Sequence, residues 1–127
     1  MKYIEVTFPV ISDLTMEVSK AFGMLQPAAS TTQAVRAVFI IDPEAIVRAI
    51  LYYPLTNGRN MEEIKRLLVA MQVSDKHKVA TPANWQPGED VIVPPPGSCG
   101  TAKERVEAPQ PDMKVLDWFM VLKKCPK

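Results

Sequence analysis

The sequence predicts an α/β domain that is incomplete by itself, followed by a proline-rich C-terminal arm. Residues 1–81 carry the periodic apolar patterns of strands and helices and hold four of the twelve prolines. Residues 82–127 hold the other eight, including Pro94-Pro95-Pro96, which is typical of a segment that follows a surface. We therefore expect an α/β portion at 1–81 and an arm at 82–127.

The composition fits one globular domain of 127 residues and excludes several classes of function. Fifteen basic residues against fourteen acidic ones give a net charge of +1, so there is no basic field for nucleic acid. No apolar stretch approaches the roughly 18 to 20 residues of a membrane span, and the N-terminus lacks the layout of a signal peptide. We expect a cytoplasmic protein that binds neither nucleic acid nor membrane.

The first element is predicted to be a strand with one buried face and an end, or an edge position, at Pro9. Its alternating apolar residues are Ile4, Val6, Phe8 and Val10. A short helix then spans Thr15 to Phe22, with Asp13 as its N-cap and Gly23 as its C-terminal stop. We expect Val18, Ala21 and Phe22 to face inward.

A β-hairpin is predicted from Val35 to Ile41 and from Ile46 to Tyr53. The connection Asp42-Pro43-Glu44-Ala45 favours a turn, because proline presets a turn φ angle and aspartate bonds back to the backbone. The first strand is apolar on both faces, as in a central strand covered on both sides. The second carries Arg48 and two tyrosines, which favours an edge or an interface.

The clearest helix in the sequence begins after Asn60, a predicted N-cap with Glu63 three residues later. We expect Glu62 to pair with Arg66 on the outer face. The predicted buried stripe is Ile64, Leu67, Leu68 and Met71.

Three strands and about one and a half helices cannot cover both faces of a strand as apolar as Val35 to Ile41. Either a partner chain covers it, or these residues are the C-terminal part of a larger α/β domain.

Five stretches of the sequence share their order and spacing with a known family: FPVISD, FGML, VRAVFIIDP, RAILYYPLTNGRNMEEIKRLL and DKHKVATPANWQPGEDVIVPPP. The combination of YYPLTNGRN with VATPANW is the most specific of them. These stretches resemble the peroxiredoxins, specifically the one-Cys or peroxiredoxin-six branch. The resemblance implies the C-terminal portion of a thioredoxin-like fold: strand, short helix, β-hairpin and long helix, then the arm.

The resemblance also implies reduction of hydrogen peroxide or alkyl hydroperoxides by a peroxidatic cysteine, with a thiol reductant such as a thioredoxin-like protein. It implies no cofactor and no metal. The family places that cysteine in a Pro-x-x-x-Thr-x-x-Cys motif, which does not occur in these 127 residues. We therefore expect the chain to begin downstream of the catalytic cysteine.

Arg36 and Arg59 are the site residues that the resemblance transfers: the first points at the thiolate and the peroxide, and the second supports the site. A guanidinium lowers the pKa of a neighbouring thiol and donates hydrogen bonds to a developing oxyanion. Taken without the resemblance, Arg36 would be a strand-end residue that reaches water and Arg59 a solvated loop residue.

Cys99 and Cys125 are candidate resolving thiols, which would attack an oxidised peroxidatic cysteine. The alternative is that both are incidental. Cys99, between Ser98 and Gly100, is the better candidate, although Lys123 and Lys124 could favour the thiolate of Cys125. His77 is expected at the surface, and Trp85 and Trp118 as packing anchors.

Two functions remain open at this stage. The chain is a truncated peroxiredoxin that lacks its peroxidatic site, or it is a non-catalytic dimerisation module derived from one. In the family, the strand that matches Ile46 to Tyr53 pairs across a two-fold axis, so we expect a homodimer in either case.

Overall fold

The computed structural model describes residues 5–26, 28 and 33–126. The chain divides into two compact units, Met1–Arg59 and Asn60–Lys127, here named the N-terminal and C-terminal units. The helices are α1 (Glu17–Ala21), α2 (Met61–His77) and α3 (Cys99–Glu107). The strands are β1 (Arg36–Ile41), β2 (Val47–Tyr53), β3 (Val91–Ile92), β4 (Met113–Asp117) and β5 (Met120–Lys123). The predicted domain division between residues 81 and 82 stays a prediction.

The hairpin of the N-terminal unit is confirmed. Strands β1 and β2 are antiparallel, and Arg36 at the start of β1 lies opposite Tyr53 at the end of β2. The turn forms because the Asp42 carboxylate accepts hydrogen bonds from the backbone N–H groups of Glu44 (3.1 Å) and Ile46 (2.9 Å). The middle of β1 is only half-buried, so the described part of this unit does not supply the cover that the apolar pattern of the strand calls for.

The short helix α1 forms within its predicted range but begins later. Met16 takes the N-cap position in a left-handed conformation, so the prediction for Asp13 is wrong in position. Its carboxylate still accepts from the backbone N–H groups of Val18 (3.0 Å) and Ser19 (2.8 Å), which satisfies donors of the first turn. Gly23 ends the helix with a φ of 64°, as predicted. Val18 is exposed rather than inward-facing, as are Ala21 and Phe22.

The predicted N-terminal strand is wrong for the residues that the structure describes. Residues 5–10 form no strand, and Phe8 is 69% exposed. A strand requires a neighbour for its backbone hydrogen bonds, and in the described part of this unit β1 and β2 pair only with each other. Ile4 lies outside the described residues.

Helix α2 begins as predicted, because the side chain of Asn60 accepts a hydrogen bond from the backbone N–H of Glu63. The predicted ion pair is wrong in its acidic partner: Arg66 pairs with Glu63 through two hydrogen bonds of 2.7 and 2.8 Å. The predicted buried stripe is also displaced. Leu68 is exposed, whereas Ala70 is buried, because the helix packs on residues that follow it in the chain.

The core of the C-terminal unit forms around Trp85. This side chain is 1% exposed and packs with Ala70, Val79 and Val91. Its indole N–H donates to the carbonyl of Glu89 (3.1 Å), and its own carbonyl accepts from Arg66 (3.1 Å). The predicted role of Trp85 as a packing anchor therefore agrees with its position.

The proline-rich arm predicted for residues 82–127 is not confirmed as an irregular segment. This region contains α3 and a three-stranded antiparallel sheet in the order β3-β5-β4. Val91 and Val121, from two of its strands, are completely buried. The prolines lie mainly between elements, where a missing N–H breaks no ladder: Pro94 to Pro96 separate β3 from α3, and Pro109 and Pro111 separate α3 from β4.

Candidate active site

Arg36 lies at the open end of the hairpin, opposite the turn. It is the first residue of β1, and its side chain is exposed. Its Nη1 group donates a hydrogen bond to the backbone carbonyl of Asn57 (3.0 Å). A guanidinium carries five N–H donors, and the contacts of Arg36 with described residues use one of them. The remaining donors and the permanent charge can bind an anion.

The loop that accepts this hydrogen bond also carries Arg59. The backbone N–H of Asn57 donates to the carbonyl of Pro54 (3.0 Å) and closes a turn directly after β2. The hydroxyl of Thr56 donates to the side-chain oxygen of Asn57 (2.9 Å). Arg59 follows two residues later and is exposed. The structure thus links Arg36 by one hydrogen bond to the loop in which Arg59 lies, and a shared role for the two arginines stays a prediction.

A cleft of about 570 Å³ opens at the same end of the N-terminal unit. Val35, which precedes Arg36, and Tyr53, which lies opposite it, both line the cleft. The full lining is Gln26, Val35, Tyr52, Tyr53, Pro54, Leu55 and Thr56. This cleft was not predicted from the sequence. Arg36 itself is not among the lining residues, and its side chain is exposed.

Contacts between the segment that follows α1 and the hairpin hold residues that line the cleft. The hydroxyl of Tyr52 donates to the carbonyl of Phe22 (2.9 Å). The ring of Phe39 lies edge-on to the rings of both Phe22 and Tyr52, at 4.9 and 5.8 Å between centroids. The backbone N–H of Val35 donates to the carbonyl of Met24 (2.9 Å). These contacts hold two residues that line the cleft, Tyr52 and Val35, against Phe22 and Met24.

Two carboxylates, one in each unit, have lowered pKa values. The hydroxyl of Ser19 donates to Asp13 (2.6 Å) and lowers the pKa of that carboxyl, although desolvation opposes the shift. In the C-terminal unit, the hydrogen bonds from Arg66 lower the pKa of Glu63, again against desolvation. Both groups stabilise local structure and neither lines the cleft.

The two cysteines differ in accessibility. Cys99 is exposed at the first position of α3, directly after Ser98, whose hydroxyl caps the helix by accepting from Thr101. Cys125 is half-buried against the core around Trp85. Both are free thiols. Exposure makes Cys99 the more accessible thiol for exchange with another thiol, and its ranking as the better resolving candidate stays a prediction.

Two other predicted residues, His77 and Trp118, do not line the cleft of the N-terminal unit. His77 is half-buried at the end of α2. Trp118 is 51% exposed in the turn between β4 and β5, beside Phe119, so it is not a packing anchor in this unit. Among the described residues, no group of three or more His, Cys, Asp or Glu side chains is arranged to hold a metal ion. No helix in that part of the chain is long and apolar enough to cross a membrane.

Comparison with known families gives two matches. Residues 1–50 match the AhpC/TSA family, and residues 70–108 match the C-terminal domain of 1-Cys peroxiredoxin. A peroxiredoxin of Methanosarcina mazei is 64% identical over 124 residues, which are 98% of this chain and 57% of that protein. A peroxiredoxin of Archaeoglobus fulgidus is 51% identical over 126 residues, which are 95% of this chain and 58% of that protein.

Solved structures agree with the sequence matches. A mutant of peroxiredoxin 6 from Arenicola marina superposes with a TM-score of 0.80 at 34% identity, over 98% of this chain and 59% of that one. A yeast mitochondrial 1-Cys peroxiredoxin gives a TM-score of 0.76 at 34% identity, over 94% of this chain and 57% of that one. These matches confirm the α/β class and the thioredoxin-like fold that the resemblance implied. The chain spans a little over half the length of the relatives it matches.

Proposed function

Because this chain belongs to the peroxiredoxin family, we propose that it forms the arginine-bearing part of a thiol-dependent hydroperoxide reductase. The observation that carries the proposal is the placement of Arg36. Its guanidinium lies at the open end of the hairpin and is bonded to the loop of Arg59, while Val35 before it and Tyr53 opposite it line an apolar cleft. The substrate is hydrogen peroxide or an alkyl hydroperoxide.

The chemistry of the proposal assigns each arginine a role. A thiolate attacks the peroxide, so that a sulfur–oxygen bond forms and the oxygen–oxygen bond breaks. The sulfur is oxidised to a sulfenic acid, and the departing oxygen takes up a proton to become water or an alcohol. Arg36 stabilises the thiolate, and its N–H groups bind the negative charge that develops on the departing oxygen. Arg59 adds a second positive charge to the site.

In this proposal the peroxidatic thiolate comes from outside residues 1–127. Threonine stands three residues before the cysteine in the family motif, whereas Pro96 precedes Cys99 and Leu122 precedes Cys125 at that spacing. Cys99 is better suited to resolve the sulfenic acid, because an exposed thiol can displace water from it to form a disulfide. Cys125 is the second candidate for this role.

A thiol then reduces that disulfide, and we propose a thioredoxin-like protein as its source. The solved yeast mitochondrial relative is described as resolved through glutathione and thioredoxin systems, which supports this choice. The cytoplasm, where thiols stay reduced, is the compartment that fits such a cycle.

The test measures hydrogen peroxide consumption with dithiothreitol for the unmodified chain, for Cys99→Ser and Cys125→Ser, and for a chimera. In the chimera, this chain replaces the matching 57% of the Methanosarcina mazei peroxiredoxin. We expect the chain and both cysteine variants to consume hydrogen peroxide no faster than dithiothreitol does alone. We expect the chimera to consume it catalytically. A folded but inactive chimera would overturn the proposal. Turnover by the chain itself that one variant abolishes would assign the peroxidatic role to that cysteine.

A second candidate function, assembly without catalysis, is favoured by the edge of β2. In the described sheet of the N-terminal unit, β2 pairs with β1 alone, and Val47, Ile50 and Tyr52 are exposed. An edge strand with exposed apolar residues is suited to pair with a second copy of itself. We propose a homodimer through this strand, whichever of the two functions holds.

Sedimentation equilibrium tests this association. We expect the chain to sediment as a dimer, and Ile50→Lys to shift it toward the 14.1 kDa monomer, because charge at an apolar interface is costly to desolvate. Leu116→Lys is the matched control, since Leu116 is also an exposed apolar strand residue (57%, against 47% for Ile50) but lies in the C-terminal unit. A compact monomer for the unmodified chain would refute the dimer.

A further inference from the structure

The contact between Arg36 and Asn57 joins two positions that are 21 residues apart in the sequence. Arg36 is exposed, and a free arginine side chain at the surface samples many rotamers, which costs free energy to suppress when a ligand binds. A hydrogen bond to a fixed acceptor selects among these rotamers in advance. The extent to which this hydrogen bond restricts the Arg36 side chain therefore depends on how firmly the Asn57 carbonyl is held.

Three features hold that carbonyl. The N–H of Asn57 donates to the carbonyl of Pro54 (3.0 Å), which closes the turn. The ring of Pro54 fixes the φ angle at the first position of the turn. The hydroxyl of Thr56 donates to the Asn57 side chain (2.9 Å), so the residue is bonded through both its backbone and its side chain. The acceptor is consequently part of a closed turn.

We propose that Asn57 is a positioning residue for Arg36, and that the turn from Pro54 to Asn57 fixes the guanidinium before an anion binds. Preorganised donors stabilise a charge more strongly than donors that must first be ordered. The same turn leads into Arg59, so a disturbance at Asn57 alters the placement of both arginines. The identification of the anion as a cysteine thiolate rests on the proposed function. The contact between Arg36 and Asn57 is independent of that function.

The first experiment uses the 127-residue chain and nuclear magnetic resonance of its arginine side chains. Asn57→Pro removes the N–H that closes the turn, and Thr56→Val removes the hydroxyl. Gly58→Ala is the matched control in the same loop, because a Cβ at Gly58 meets no atom within 4 Å. Arg105, whose guanidinium donates to the Pro94 carbonyl (2.9 Å), is an internal reference in every spectrum.

We expect hydrogen exchange at the Arg36 guanidinium to become about tenfold faster in Asn57→Pro, which is the effect of losing one hydrogen bond to a charged group. Thr56→Val should change it less and in the same direction. Gly58→Ala should leave it unchanged, and Arg105 should be unchanged throughout. Unchanged exchange at Arg36 in Asn57→Pro, with an intact circular dichroism spectrum, would overturn the positioning role. If Asn57→Pro does not fold, Thr56→Val decides the outcome.

The second experiment separates this inference from the proposed function. In the chimera with the Methanosarcina mazei peroxiredoxin, the pH dependence of thiol alkylation reports the pKa of the reactive cysteine. We expect Arg36→Ala, Asn57→Pro and Thr56→Val to raise this pKa, and Gly58→Ala to leave it unchanged. If only Arg36→Ala raises it, the positioning role falls and the proposed function stands. If none of them changes it while exchange at Arg36 responds as expected, the proposed function falls and the positioning of Arg36 stands.

Discussion

Replacing Trp85 with alanine perturbs the core of the C-terminal unit at its largest buried side chain. Trp85 is 1% exposed and packs against Ala70, Val79 and Val91. Truncation of a buried tryptophan costs about 3 to 5 kcal/mol, because apolar contacts are lost and a cavity remains. The hydrogen bond from its indole to Glu89 contributes about 1 kcal/mol of this. The total is a large fraction of the roughly 5 to 15 kcal/mol that stabilises a typical domain.

Urea unfolding followed by far-ultraviolet circular dichroism measures this loss. Trp118→Ala is the matched control: Trp118 is 51% exposed and contacts the ring of Phe119, so its removal should cost less than about 1 kcal/mol. Trp85→Phe keeps much of the side-chain volume but loses the indole N–H. Its loss of unfolding free energy should lie between those of Trp85→Ala and Trp118→Ala. If Trp85→Ala were no more destabilising than Trp118→Ala, the core described for this unit would be wrong.

Two further predictions concern the helix starts. Asn60→Ala should destabilise the C-terminal unit by about 1 kcal/mol in urea unfolding, because it removes the cap of α2; no loss would contradict that cap. The hydrogen bond from Ser19 lowers the pKa of Asp13 in the folded chain below its ordinary value. The carboxylate therefore stabilises the fold fully above its unfolded pKa of about 3.9, and this stabilisation is lost as the pH falls through the lower, folded pKa. The amide resonance of Ser19 should therefore shift on acidification below about pH 4 in the unmodified chain but not in Asp13→Asn, and identical titrations would contradict the assigned bonds.

The hairpin was predictable from the sequence because its determinants are local. The two strands and the turn at Asp42 are adjacent, so pattern and turn chemistry agree within 20 residues. Residues 5–10 show the same alternation but form no strand. Alternation identifies a face suited to burial, but it does not supply the neighbour with which a strand must pair.

The buried face of α2 and the structure after residue 81 depended on distant parts of the chain. The apolar residues of α2 lie on several faces of the helix, so its sequence alone does not identify the buried face. Ala70 is buried because Trp85 and Val91 pack against it. The proline content of residues 82–127 predicted an irregular arm rather than the sheet of β3, β5 and β4. The prediction failed because prolines that lie between strands do not prevent the strands from pairing.

The candidate site was predicted in part. The resemblance indicated both arginines, but the bond from Arg36 to Asn57 spans 21 residues and ends on a backbone carbonyl. Any residue type can provide such an acceptor, so no sequence pattern marks it. The cleft beside Arg36 likewise depends on how α1 and the loop after β2 meet the hairpin.

The most direct test of the central claim is the rate constant for hydrogen peroxide in the chimera with Arg36→Ala and with Arg105→Ala. Both arginines donate a hydrogen bond to a backbone carbonyl, but only Arg36 has a chain neighbour, Val35, and a cross-strand partner, Tyr53, among the residues that line the cleft. We predict that Arg36→Ala lowers the rate constant by about 10²- to 10³-fold, as expected for loss of a group that stabilises developing charge, and that Arg105→Ala changes it less than about twofold. Equal effects of the two substitutions would contradict the assignment of Arg36 to a peroxide-reducing site.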